Sequence, residues 1–305
     1  MAKSKPDQPE QPELTEDAMP VLRLRDKAIL LDQPRVMGVV NVTPDSFSDG
    51  GRFLDRAAAV EQVCRLATEG ADIVDIGGMS SRPGAEEVSV KEELRRVLPV
   101  VEEVAARLEV PVSVDTYRSE VAEAALERGA RMINDITALS DPAMAELVAE
   151  TGAGLVLMHM QGTPRTMQDA PQYEDVVRDI RGFLSERVER ALAAGVSAEA
   201  IVVDPGIGFG KTVEHNLEIL RRLGELTGLG YPLLIGTSRK SFIGKVLGVP
   251  VGERLVGSLA SLVVARLAGA SLFRVHDVAE TRQVLALTEA ISRGCWPTPT
   301  VTPLR

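Results

Sequence analysis

Short apolar runs alternate along this chain with stretches whose apolar residues recur every three or four positions. The runs are VMGVV at 36–40, ADIVDIG at 71–77, PVSVD at 111–115, RMIND at 131–135, GLVLMHM at 154–160, AIVVD at 200–204, PLLIG at 232–236 and SLFRVHD at 271–277, after an opening stretch VLRLRDKAILL at 21–31. Each has the length of a strand and is too short for a helix that buries one side. Between them, Val90, Leu94, Val97, Leu98, Val101, Val104, Ala105 and Leu108 define one helical stripe, with Ser89 and Glu92 at capping-box spacing and Pro99 expected to kink or restart the helix. A second stripe runs through Val176, Val177, Ile180, Phe183, Leu184, Val188 and Leu192. Asp277 and Glu280 open a last helix through Val284, Leu285 and Ile291.

Strands separated by helices imply parallel pairing, because each crossover needs a dozen or more residues and a helix supplies them. Eight such strands in 305 residues, with no Pro/Gly/Ser linker and no internal repeat, predict one α/β domain, a (β/α)8 TIM barrel over residues 19–295. A leader at 1–18, rich in Pro, Gln and Glu, is expected to be disordered, and 296–305 form a tail. The runs are apolar until their ends, where Asn41, Asp75, Asp115, Asn134, Asp135, His159 and Asp204 appear. Ser238, Arg239 and Lys240 follow the seventh run, and Arg274 and His276 lie in the eighth. A closed barrel gathers these ends on one face, where active sites assemble; an open doubly wound sheet also binds ligands at its carboxyl ends, so the pattern favours the barrel without excluding the sheet.

Composition narrows the partners. Lys plus Arg at 34 against Asp plus Glu at 44 gives a formal charge of -10, which opposes general attraction to nucleic acid or anionic membrane and points to small molecules. Cys64 and Cys295 stand far apart, so no disulfide framework or thiolate metal site is indicated, and a cytoplasmic location is expected. No run approaches the ~20 apolar residues of a membrane helix.

The loops add specific motifs: MGVVNVTPDSFSDGG at 37–51, DIGGMSSRPGA at 75–85, SVDT at 113–116, IND at 133–135, LMHMQGTPRTMQ at 157–168, DPGIGFGK at 204–211, GTSRKSFIG at 236–244 and RVHD at 274–277. In this order, over about residues 35–278, the chain resembles the dihydropteroate synthase family. That resemblance implies a barrel enzyme of folate biosynthesis, which joins 4-aminobenzoate to 6-hydroxymethyl-7,8-dihydropterin diphosphate with Mg²⁺ and releases 7,8-dihydropteroate and diphosphate. It further implies a homodimer and competition by sulfonamides, which resemble 4-aminobenzoate.

By the same resemblance, Asp204 accepts the pterin's adjacent N–H and amino donors, Asn134 and Asp115 share that edge, and Lys240 donates to the ring. Arg274 lies on one pterin face and Ile136 on the other. Asn41 is the Mg²⁺ ligand, and Ser81, Arg82, Arg274 and His276 hold diphosphate. Pro83, Phe209, Ser81, Lys240 and Ser241 form the aminobenzoate pocket. These residue types suit the chemistry: a carboxylate accepts paired donors, and loss of diphosphate from an electron-rich methylene needs positive charge at the leaving oxygen rather than a strong base. A lone amide oxygen with diphosphate suits a hard cation, whereas His159, His215 and His276 are too dispersed to hold zinc.

Plainer readings stand beside these. Asp204 before Pro205 and Gly206 also suits a turn, Asp115 also suits a helix cap, and His276 also suits a core position. GIGFGKT resembles the end of a phosphate-binding P-loop, but Pro205 stands where that loop requires glycine, so Lys211 and Thr212 read as a strand-to-helix turn. Family members often carry Glu-Ser-Thr-Arg-Pro where this chain has Met79 through Pro83, so a carboxylate is missing at Met79. The alternatives are a pterin-dependent methyltransferase and a noncatalytic pterin-binding paralogue; retention of Asp204, Lys240 and Arg274 weighs against the second.

Overall fold

The computed structural model describes residues 21–42, 51–80, 88–163 and 165–294, with only the backbone of 51–55. The leader at 1–18, the tail at 296–305, Cys295, and Ser81, Arg82 and Pro83 lie outside the described residues.

The opening stretch forms an antiparallel hairpin, β1 (Val21–Leu24) and β2 (Lys27–Leu30), whose turn holds Arg25 at φ 59°. The eight runs then become parallel strands: β3 (Arg35–Asn41), β4 (Ile73–Gly77), β5 (Val112–Asp115), β6 (Met132–Asp135), β7 (Gly154–Met158), β8 (Ile201–Asp204), β9 (Leu234–Ile235) and β10 (Leu272–Val275). Their spatial order is β8-β7-β6-β5-β4-β3-β10-β9. A parallel bridge between Val203 and Leu233, with the Val203 N–H donating to Pro232 O at 3.0 Å, joins the two end strands and closes the ring. The predicted barrel is therefore formed, and the open sheet is excluded.

Side chains in a strand alternate between faces, which explains how one strand serves two environments. The outward set, including Val74, Ile76, Val112, Val114, Ile133 and Phe273, packs under the surrounding helices. The inward set begins apolar, with Met37, Ile73, Met132, Val156, Val202, Leu234 and Leu272, and the hairpin residues Leu22 and Leu24 close over it. Two residues farther on the same face turns polar: Ile73 is followed by Asp75, Met132 by Asn134, Val202 by Asp204, and Leu272 by Arg274. The barrel thus has a sealed apolar floor and a charged mouth.

Helices α1 (Gly51–Thr68), α2 (Val90–Arg107), α3 (Ser119–Glu127), α4 (Pro142–Thr151), α5 (Val176–Ala193), α6 (Val213–Arg221), α7 (Gly224–Thr227), α8 (Ser241–Leu247), α9 (Leu255–Leu267) and α10 (Val278–Arg293) occupy the connections. Pro99 does not restart α2, which runs continuously through it. Ser89 caps α2 by accepting from the Glu92 N–H, but the Glu92 carboxylate turns to Arg95 and Arg96, so the reciprocal half of the predicted box is replaced by ion pairs. Leu192 and Ile291, assigned to buried stripes, are 40% and 73% exposed, because they fall at the edges of their helices' packed faces. Asp277 begins α10, but its carboxylate pairs with Arg239.

Candidate active site

The centre of the mouth is an ionic knot made by residues far apart in sequence. Arg274 donates from Nε to Asp75 Oδ2 and from Nη2 to Asp115 Oδ2, each at 2.7 Å, and Asn134 Nδ2 donates to the same Asp75 oxygen at 3.1 Å. Register explains the meeting: β4 lies between β3 and β5, β10 lies beyond β3, and all these side chains point inward. Burial works against the guanidinium, but Asp75 and Asp115 raise its pKa and hold it protonated. For Asp115 the balance goes the other way: burial, with Asp75 and Glu93 nearby, pushes its carboxyl upward against Arg274 and Lys240. No side-chain cap on α3 comes from Asp115, so the capping alternative is set aside.

Asp204 serves the turn read for it and also stands at the mouth. One oxygen accepts the Gly206 N–H at 2.7 Å and so organises the turn after β8, while the buried carboxyl stays at the mouth. Burial pushes it up to about 6, opposed by the Gly206 bond and by Lys240. Lys240 follows the tight turn in which Arg239 has φ 58°, and its Nζ sits 4.0 Å from the centre of the Phe209 ring. Burial and the Arg274 charge lower Lys240 to about 8.

His276 lies beside Ser238, with its Nδ1 3.1 Å from the hydroxyl oxygen. Burial, together with Arg274 and Arg239, lowers it to about 4, so at neutral pH it is an uncharged hydrogen-bonding group. Asn41 ends β3 opposite Gly77, and a Cβ on Gly77 would lie 3.6 Å from the Asn41 amide oxygen and 3.5 Å from the Asp115 Cβ. A Cβ there would make ordinary contact with both, which places the Asn41 amide oxygen and Asp115 around one small space. Ser241 opens α8 in an exposed position.

Ile136 and Phe209, which the resemblance assigns to different substrates, lie in one apolar cluster with Met158 and Met167, bordered by Tyr117 and Met160. The two walls are contiguous. Met79, where the carboxylate is missing, receives the Tyr117 hydroxyl at 3.9 Å through its sulfur. Ile136 is held by its neighbour Asp135, whose carboxylate accepts the N–H of Thr137 at 2.8 Å and of Leu139 at 2.7 Å across a loop with Ala138 and Leu139 at positive φ. Asp135→Ala leaves these donors unmatched in a buried site. We expect a loss of roughly 2 kcal/mol in unfolding free energy, measurable as a lower urea midpoint at unchanged slope; an unchanged midpoint would remove this role.

Sequence reasoning gave no role to Asp75, to the methionines, or to a buried pair formed by His159 and Lys211. Asp75 had a signal, as a strand-end carboxylate in phase with inward Ile73. The methionines had none, because LMHM also reads as the end of an ordinary strand. His215 is structural: it completes a capping box with Thr212 at the start of α6. Among the described residues no group of His, Cys, Asp and Glu gathers to hold a metal.

The mouth of this closed parallel barrel brings together buried carboxylates, an amide, an arginine and a lysine, groups suited to the polar edge of a small molecule. The chain belongs to the pterin binding enzyme family, whose sequence profile matches residues 37–276. Its similarity is to dihydropteroate synthases in particular. That of Escherichia coli K12 is 50% identical over 260 residues, covering 85% of this chain and 92% of the relative. That of Haemophilus influenzae is 46% identical over 273 residues, covering 90% and 99%. Among solved structures, Xanthomonas albilineans dihydropteroate synthase with 4-aminobenzoic acid superposes with a TM-score of 0.86 at 47% identity, covering 90% of this chain and 99% of that one. The same enzyme in complex with 7,8-dihydropteroate gives 0.82 at 45% identity, with the same coverage.

Proposed function

We infer that this chain catalyses the dihydropteroate synthase reaction, joining 6-hydroxymethyl-7,8-dihydropterin diphosphate to 4-aminobenzoate. The knot of Arg274, Asp75, Asp115 and Asn134, linked through Lys240 to the Ile136 and Phe209 cluster, carries the reading, because it offers polar groups for a pterin edge and an apolar wall for an aromatic amine. Asp204, Asn134 and Asp115 take the pterin's polar edge, Lys240 donates to its ring, and Arg274 and Ile136 cover its faces. Phe209 and Ser241 serve the aminobenzoate, and by resemblance Pro83 and Ser81 join them.

The amine nitrogen forms a bond to the pterin methylene as the carbon–oxygen bond to diphosphate breaks; the electron pair leaves with the diphosphate, and the new ammonium gives up a proton. The amine is already nucleophilic, so the protein's work is to orient it and to stabilise the departing charge. Arg274 and the His276 N–H serve that oxygen side, with Ser81 and Arg82 assigned there by resemblance. The Asn41 amide oxygen, at the rim beside Asp115, is a hard donor suited to Mg²⁺ completed by diphosphate oxygens and water. When bound, that ion neutralises charge on the leaving group. Incubation with both substrates and Mg²⁺ should yield dihydropteroate and diphosphate in equal amounts; diphosphate without dihydropteroate would refute the transfer.

Binding should depend on pH through Asp204. Protonation removes the acceptor, so with its carboxyl near 6 the affinity for pterin diphosphate should fall about tenfold from pH 8 to pH 5 by this group alone. Titration calorimetry across that range checks it, and a flat profile would count against Asp204.

Two observations bear on assembly and location. Among the described residues no helix is long and apolar enough to cross a membrane. On the outside, Val256, Val264 and Leu267 of α9 and Leu287 and Ile291 of α10 are at least half exposed. This apolar surface on adjacent helices supports a homodimer. Sedimentation should give a dimer mass for the natural chain and a monomer mass for Leu267→Lys combined with Ile291→Lys.

A further inference from the structure

The reaction described above leaves a buried lysine without a task. Lys211 is only 3% exposed, and its Nζ donates to Phe209 O at 2.8 Å, meets His159 Nδ1 at 3.0 Å and reaches His159 O at 3.3 Å. Burial and the Lys211 charge keep His159 well below the usual imidazole range, so its ring is neutral, and the tautomer with its proton on Nε2 leaves Nδ1 to accept from Lys211. The ring is also fixed in place, edge-on to Phe183 with centroids 4.9 Å apart and tilted against Tyr173 at 5.9 Å.

These contacts converge on one turn. Between β8 and α6 the backbone passes through Gly206, Gly208 and Gly210 at φ 65°, 84° and 62°, a winding that leaves Phe209 between two left-handed residues. A Cβ on Gly206 would lie 1.9 Å from His159 O, and one on Gly210 would lie 2.5 Å from Gln161 O, so the turn is pressed against the segment after β7. Every carbonyl from Gly208 to Gly210 is then tied across: Gly208 O accepts from Gln168 Nε2 at 3.0 Å, Phe209 O from Lys211, and Gly210 O from the Tyr173 hydroxyl at 2.7 Å. The ring of the residue so held is the one on which the Lys240 ammonium rests.

We propose that Lys211, braced by His159, is a positioning residue that fixes the Phe209 ring beneath Lys240 and so sets the wall against which the aromatic amine is received. This rests on the reading of Phe209 as part of the aminobenzoate pocket. Three backbone or ring acceptors around one buried amine do more than a strand-to-helix turn requires, since α6 already has its own cap from Thr212. Lys211 lies within the electrostatic reach of Asp204 and Lys240, so an influence on the pterin side must be separated by measurement.

The test is a cycle of Lys211→Met and Phe209→Ala, each varied alone and together, in the full chain with Mg²⁺. Lys211→Met is expected to raise the KM for 4-aminobenzoate about tenfold with kcat changed less than about twofold and the Kd for pterin diphosphate unchanged. In the Phe209→Ala background the same replacement should have little further effect, because the group through which it acts is gone. Tyr173→Phe, which removes only the Gly210 tie in a half-buried place, should raise the same KM by a smaller factor and keeps the idea testable if Lys211→Met does not fold. If Phe209→Ala raises that KM but Lys211→Met and Tyr173→Phe do not, the positioning role is wrong. Additive effects, or a weakened Kd for pterin diphosphate in Lys211→Met, overturn it as well. If Phe209→Ala itself leaves the KM unmoved, the assignment of the pocket has failed instead.

Discussion

Arg274→Ala should lower kcat/KM for pterin diphosphate by about a hundredfold or more, and it should also destabilise the free protein. The guanidinium makes charge-assisted bonds to Asp75 and Asp115, and removing it leaves two carboxylates facing each other in a buried site. Breaking a buried pair by deleting one partner typically costs 3–5 kcal/mol, much of it from the charge left behind. The cost has a pH signature. In the natural chain burial pushes Asp115 up to about 7 against the pull of Arg274; in the variant that counterion is gone and the carboxyl moves higher still, so above about pH 7 the folded variant keeps a proton that the natural chain releases. The stability of the variant should therefore fall further behind that of the natural chain as pH rises from about 7 to 9, a trend that thermal unfolding at each pH can follow. Arg274→Lys should rescue little, because a single ammonium cannot span both carboxylates as the planar fork does. A variant with normal pterin diphosphate affinity would show that the knot is structural only.

Asp204→Asn should weaken pterin diphosphate binding about thirtyfold, equivalent to ~2 kcal/mol, while leaving the fold intact. The contrast follows from the two roles of the carboxyl. The amide oxygen of asparagine still accepts the Gly206 N–H, so the turn after β8 keeps its anchor. What is lost is the charge-assisted acceptor for the ligand's adjacent donors, replaced in part by an amide donor that faces them. The variant should also lose the fall in affinity between pH 8 and pH 5, since its amide does not titrate there. Calorimetry reads both effects, and unchanged affinity with unchanged pH dependence would take Asp204 out of the site.

The barrel was legible because two periodicities are written into the chain: apolar runs of strand length, and stripes at helical spacing. The mouth was legible because polar residues replace apolar ones at strand ends, so Asp115, Asn134, Asp204 and Arg274 could be named before their meeting was seen. Periodicity says which face of a helix is apolar but not how wide a neighbour will cover it, and so Leu192 and Ile291 were placed inside. It also cannot tell that Pro99 would sit within an unbroken helix, where a missing N–H is one bond among many. The partners of Lys211 were invisible for a different reason. His159 lies 52 positions away, and its meeting with Lys211 depends on how β7 and β8 pair and how three glycines wind between β8 and α6.

The hairpin that covers the apolar end makes the enzyme's interior a cul-de-sac. Leu22 and Leu24 are fully buried against the floor, so among the described residues that end is closed and the mouth is the open one. Spent diphosphate and finished dihydropteroate thus share one doorway with the next incoming molecules.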